Sequence, residues 1–125
     1  MTTTAQDVLD EIIESTEHLQ DALQHQNELQ RDLFNARIVL QNRKNAILTE
    51  YADPIEHPGG IKELGSNETA RDAAMASLTV SETDAVKQLE FQLLQQQGNV
   101  RIAELAHDLS RYRLRVYEAE VKLDS

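Results

Sequence analysis

Among the residues able to do chemistry, the sharpest pattern is Glu104-Leu105-Ala106-His107, a Glu-x-x-His on a helical stretch. In di-iron and di-manganese four-helix proteins this spacing lets facing helices each offer a carboxylate and an imidazole to one centre, and two copies of a helical hairpin would supply two such motifs. The motif works only if it faces inward. With Ile102 and Leu105 on the packing seam, Glu104 and His107 turn to solvent, and only the phase of the helix's earlier half, through Val86, Leu93 and Val100, would bring His107 inside; a solvated helix face is expected, with these two residues the pair to weigh as ligands. His18 and His25 share a helix face but stand two turns apart, roughly 10.5 Å along the axis, too far to ligate one ion. His57 follows Glu56 in a segment rich in Pro and Gly, with no nucleophile beside it.

The remaining routes to catalysis close quickly. The chain has no cysteine, which removes thiol chemistry, disulfides and Cys-ligated zinc or iron–sulfur centres. It has no Gly-x-Ser-x-Gly, no phosphate-cradling Gly-rich loop with a Lys, and no His-Glu-x-x-His. No catalytic residue and no cofactor are therefore expected, and Gly59-Gly60 reads as a turn.

The elements that would position any site are helical. Aromatic residues make up only 4% of the 125 residues, while Gly and Pro total six, a composition that starves a β-fold of its strand formers. Ala5, Ile12, Leu19, Gln26, Leu33, Leu40 and Ile47 recur every seven residues, with Val8, Ser15, Ala22, Leu29, Ala36 and Arg43 as companions, which predicts a long helix over about 5–50. Gln26 is either a buried polar residue that fixes register or a partly exposed one. Thr3 or Thr4 suits the N-cap, with acidic residues behind it. Pro54, Pro58, Gly59 and Gly60 end the helix. Ser66 or Asn67 caps a short helix near 68–78, and Ser81, in Ser-Glu-Thr-Asp, caps a last helix over about 82–123. Its second half carries Ile102, Leu105, Leu109, Tyr112, Val116, Ala119 and Leu123 at alternating three and four, out of phase with Val86, Leu89, Leu93, Gln96 and Val100. A stutter or mild kink at Gly98, not a chain break, is the expectation.

Two helices of about 43 residues would each extend roughly 65 Å, so the arms match. The first holds Asp7, Asp10, Glu11, Glu14, Glu17, Asp21 and Glu28 before any Lys or Arg, and the second ends in Arg111, Arg113, Arg115 and Lys122. Antiparallel folding sets these charges side by side and brings Arg37, Arg43 and Lys44 near Glu82, Asp84 and Glu90. The expected fold is an all-α antiparallel coiled-coil hairpin in a single domain, 1–125. Leu9, Leu23, Phe34, Phe91 and Leu94 lie beside the seams, so the hairpin is expected to dimerise into a four-helix bundle.

A formal charge of −10 opposes general binding to nucleic-acid phosphates. Arg111, Arg113 and Arg115 with Tyr112 and Tyr117 form one basic aromatic cluster, read as the counter-charge of the acidic arm. No apolar run reaches membrane-spanning length and the N-terminal residues lack a signal-peptide pattern, so a cytoplasmic setting is expected.

The stretch Gly65-Ser66-Asn67-Glu68-Thr69-Ala70-Arg71-Asp72-Ala73 between two long helices, followed by the Arg111 to Glu118 run, resembles small helical proteins of tailed phages and prophages. The resemblance covers most of the chain. It implies phage or prophage origin, the host cytoplasm, a family mostly without assigned activity and often found near replication or recombination functions, and no catalytic residue. The function expected is a non-enzymatic interaction or scaffold protein that binds itself and a further protein partner. The alternatives are an acidic decoy that inhibits a nucleic-acid-binding protein, suggested by the acidic stretch from Asp7 to Glu28, and a di-metal carboxylate protein built on Glu104 and His107.

Overall fold

The computed structural model describes residues 3–124. It comprises α1 (Ala5–Tyr51), a 3-10 turn (Gly60–Glu63), α2 (Glu68–Leu78) and α3 (Val80–Asp124), and among the described residues there is no strand. α1 and α3 pack antiparallel as a helical hairpin, with α2 in the connection.

Each helix start has a local cause. Thr4 Oγ1 accepts from the Asp7 N–H at 3.1 Å while Asp7 Oδ2 accepts from the Thr4 N–H at 3.0 Å, a reciprocal cap that satisfies two otherwise unpaired donors. The backbone bond from Thr4, and then its hydroxyl, hold the Asp7 carboxyl below the usual carboxylate range. At α2, Asn67 Oδ1 accepts from the Ala70 N–H at 2.8 Å. Gly65 has a different duty: a Cβ there would come within 2.6 Å of the Ala70 backbone carbon and the Arg71 nitrogen. Arg71 Nη1 reaches back to the Gly65 carbonyl at 3.4 Å, so Gly65, Asn67 and Arg71 form one helix-start device.

The start of α3 departs from the sequence expectation. Ser81 is not the cap; it lies inside the first turn, because α3 begins at Val80 immediately after Thr79. Thr79 is fully buried, its hydroxyl donates to the Met75 carbonyl at 2.8 Å, and its own carbonyl accepts from the Thr83 N–H at 2.9 Å. One residue thus closes α2 and opens α3. α3 runs unbroken through Gly98 as expected, but without the phase shift of a stutter, since Gln96, Val100, Ala103, His107 and Ser110 keep one alternation of four and three on the inward face.

The chain divides into two compact units, Met1–Leu29 with Gln92–Ser125, and Gln30–Phe91. In Gln30–Phe91, Leu33 and Ile47 of α1, Leu64 of the connection, and Thr79 and Val86 are buried. Arg37 pairs with Glu90 at 3.5 Å and Arg43 reaches Glu82 at 4.0 Å, which fixes the antiparallel sense of α1 and α3 there. In the other unit, Val8, Ala22 and Leu29 of α1 face Gln96, Val100, Ala103 and Ser110 of α3. α1 uses the residues its heptads predict: Ile12, Leu19, Gln26 and Leu40 are half-buried beside buried Leu33 and Ile47.

α3 does not use the predicted residues. The phase of Val86, Leu89, Leu93, Gln96 and Val100 simply continues through Ala103, His107, Ser110, Leu114 and Tyr117, all buried or half-buried. Ile102, Leu105, Leu109, Tyr112, Val116 and Leu123 are therefore not the hairpin seam; all six are exposed, from 39% at Val116 to 86% at Leu123. The physical reason is heptad continuity. A helix that keeps one phase needs no local over- or underwinding, whereas shifting to the more apolar face at Gly98 would need it.

Candidate interaction surface

The inward face of α3 in the first unit is small and polar. Ala103 is fully buried beside Val100 and Ala22, which brings the backbones of α1 and α3 close. Gln96 is buried and its Nε2 donates to the Ala22 carbonyl at 2.9 Å, while its Oε1 accepts from Asn99 Nδ2 at 3.1 Å. Gln96 is thus a buried polar residue that bridges the helices, whereas Gln26 is half-buried. Ser15 Oγ lies 3.1 Å from His107 Nδ1 and 3.1 Å from the Ile12 carbonyl, so the hydroxyl can donate to the carbonyl while accepting from the imidazole. Ser110 is buried, with its Oγ 3.1 Å from the Ala106 carbonyl and 3.4 Å from Glu11 Oε1. Arg113 Nη1 donates to that Glu11 oxygen at 2.6 Å. Among the described residues no buried side-chain nitrogen or oxygen lacks a partner, so this seam is polar but satisfied.

These contacts settle several sequence expectations. His107 faces α1 and does not turn to solvent; Glu104 bonds Arg101 at 3.5 Å, a separate contact on its own helix. The charge register rests on Glu11 with Arg113, Arg37 with Glu90, and Arg43 with Glu82. Asp10 instead accepts from Gln6 on its own helix, and Glu14, Glu17, Arg111 and Arg115 make no cross-helix ion pair among the described residues. Long side chains at those positions point outward from a seam whose phase places Glu11 and Arg113 at its flank.

The outer face of α3 is the reverse of its inner one. Five of the exposed apolar residues each follow an inner residue by two: Ile102 after Val100, Leu105 after Ala103, Leu109 after His107, Tyr112 after Ser110, Val116 after Leu114. Two residues turn an α-helix by about 200°, so the stripe lies on the side of α3 away from the buried seam, with Leu109, Tyr112 and Val116 also edging open grooves beside Glu11 of α1. It keeps the alternating three and four spacing through three heptads, to Leu123, broken only by the small Ala119. On α1 the exposed apolar residues of the same unit are sparser, Leu9, Ile13 and Leu23 with Thr16 and Gln20 between.

In Gln30–Phe91, sequence reasoning missed a second cluster. His57 stacks on Tyr51 with ring centroids 4.1 Å apart, its Nδ1 contacts Glu63 Oε2 at 2.5 Å and its Nε2 lies 3.9 Å from Glu50. Glu50, at the end of α1, and Glu56 and His57 of the loop offer atoms within 4.8 Å of one another, the two carboxylates exposed and the imidazole half-buried. Asp53 accepts from the Ile55 N–H, the His57 N–H bonds the Asp53 carbonyl, and Gly60 adopts a positive φ of 65°. The ring works as the clasp of this turn. No spacing in the sequence signals it, because the path of the loop after Tyr51 brings Glu50 and Glu63 to His57.

Among the described residues no helix is long and apolar enough to cross a membrane. Comparison with protein-family models, curated proteins and solved structures finds no match.

Proposed function

We propose that this chain is a non-enzymatic interaction protein, phage or prophage encoded and at work in the host cytoplasm, that acts through protein–protein contact and binds a second copy of itself. The observation that carries the reading is the exposed apolar stripe from Ile102 to Leu123, larger and more continuous than single exposed apolar residues on a monomer surface. Burying such side chains in a partner is the main source of association energy, at roughly 25 cal/mol per Å² before the costs of ordering and lost freedom. Sedimentation equilibrium at micromolar concentration tests it: a dimer is expected, and a concentration-independent monomer would remove the self-association.

One observation favours a second reading, an acidic decoy for a nucleic-acid-binding protein. Asp10, Glu14, Glu17 and Asp21 line an exposed stretch of α1 beside Glu11, which pairs with Arg113 of α3. Reversing Asp10, Glu14 and Glu17 to Lys should abolish inhibition of such a partner with the helical fold intact; unchanged inhibition would dispose of the decoy.

A further inference from the structure

We infer that the outer face of α3 between Ile102 and Leu123 is a second coiled-coil seam whose occupant is the same face of a second copy, running parallel. This rests on the self-association proposed above and names its surface, direction and register. Three features of the stripe point to it.

The first is register. Ile102, Leu109, Val116 and Leu123 occupy one heptad position and Leu105, Tyr112 and Ala119 the other, over about 32 Å of helix. The buried seam to α1 keeps the same phase two residues earlier, so α3 holds two straight stripes at once without distortion. A helix with two such stripes packs between two neighbours, and the hairpin supplies one.

The second is side-chain shape. In parallel pairs, β-branched residues at the first heptad position with Leu at the second favour two strands. Ile102 and Val116 alternate with Leu109 and Leu123 at the first, and Leu105 stands with Tyr112 and Ala119 at the second, so two of the four first positions carry the branched shape.

The third is charge. The residues flanking the stripe are Arg101, Asp108, Arg115 and Lys122 on one edge and Ala106, Arg113 and Glu120 on the other. In a parallel pair, a residue on the first edge meets the residue five further along on the second edge of the other copy. That sets Asp108 against Arg113 of the second copy and Arg115 against Glu120 of the second copy, each twice by symmetry, with no like charges opposed. An antiparallel pair centred on the stripe joins each edge to itself: Asp108 then meets Arg115, but Arg101 meets Lys122. Parallel pairing is the arrangement in which every charged contact attracts. Arg113 can serve both sides, because its guanidinium has five donors and only Nη1 is used on Glu11.

The resulting dimer differs from a square four-helix bundle. The two α3 helices meet back to back, each with its own α1 segment on the far side, so the helices of the two units lie in a row. Symmetry makes the geometry easy to test, because in a parallel pair each stripe residue faces its own copy. The chain has no cysteine, so single replacements report cleanly.

Tyr112→Cys in the full chain should oxidise to an interchain disulfide, faster than the equally exposed Phe34→Cys by on the order of tenfold or more, since docked thiols meet at a millimolar effective concentration. Leu109→Cys, one heptad position away, should behave alike and guards against a local defect at Tyr112. In sedimentation, Arg115→Glu should weaken the dimer roughly tenfold by turning two attractions into repulsions, and adding Glu120→Arg should restore it. A dimer in which neither cysteine links overturns the seam and leaves self-association standing. Linkage of Leu105→Cys only to Val116→Cys in mixed chains, or failure of the charge swap to restore affinity, overturns the parallel direction. A monomer at every concentration removes the seam and the self-association together.

Discussion

Gln30–Phe91 and the unit formed by Met1–Leu29 with Gln92–Ser125 use the same two long helices in opposite ways. In Gln30–Phe91, a third helix and a 3-10 turn add to the pair, and Leu33, Ile47, Leu64 and Val86 are buried with Thr79 as the pivot. The other unit has only the pair, buries Val8, Ala22, Leu29, Val100 and Ala103 beside the polar residues Ser15, Gln96, His107 and Ser110, and leaves eight large apolar side chains of α3 outside. Both bury apolar residues, but the first does so across three helices and a turn, whereas the second adds close backbone approach at Ala22 and Ala103 and a row of satisfied hydrogen bonds, each neutral bond contributing only about 0.5–1.5 kcal/mol net. A helix whose grease faces away from its only intrachain neighbour is built to meet something else.

Substitutions sharpen that contrast. Ile47→Ala, at a position 2% exposed, should cost about 2–5 kcal/mol in denaturant unfolding. Leu109→Ala, at 48% exposed, should cost under about 1 kcal/mol in the hairpin itself when measured in the Arg115→Glu background, where dimerisation is weakened. Equal losses would erase the difference between the two units. Next in size, Gly65→Ala should destabilise by about 1–3 kcal/mol, because its Cβ meets helix backbone that cannot yield cheaply. Gly98→Ala should act with the opposite sign: its Cβ enters open space within a continuous helix, so melting should rise by the equivalent of about 0.5–1 kcal/mol.

The smallest effects are electrostatic. Arg113→Ala removes a pair whose side chains are 57% and 35% exposed, so a loss between about 0 and 1 kcal/mol, shrinking with added salt, is expected from thermal melts. Asp7 supplies a pH test of the α1 cap. Folding lowers its pKa, so the unfolded chain takes up the proton first as pH falls. Its contribution is full above the ordinary carboxylate value and disappears as pH drops through the lowered one. Asp7→Ala should therefore melt below the parent at neutral pH, and the two should converge in strong acid.

Much of this fold was legible because α1 has one dominant apolar face, capping residues at Thr4 and Asn67, and a stop at Pro54 that no helix survives. The second half of α3 was misread for a definite reason. Hydropathy ranks Ile102, Leu105 and Leu109 above Ala103, His107 and Ser110, so periodicity alone selects the greasier face as the interior. The corrective signal was present in the phase of Val86 to Val100, which extends to Ala103 and His107 without a break. That same phase would have placed His107 against α1. The exact charge partners were beyond reach, because neighbouring acids and bases along an arm satisfy the same coarse antiparallel pattern until the seam phase picks Glu11 and Arg113. The His57 clasp depends on the loop's path through Asp53 and Gly60, which spacing does not specify.

The claim beneath all of this is that α3 turns Ala103, His107 and Ser110 toward α1, leaving Ile102 to Leu123 free for a second copy. Paired cysteines test it directly, since Ser15 and His107 are hydrogen-bonded neighbours across the hairpin. Ser15→Cys with His107→Cys should close an intrachain disulfide in dilute, monomeric protein, while Ser15→Cys with Leu109→Cys should not. Closure of the Leu109 pair with the His107 pair left open would show that the greasy face packs inward, contradicting the account.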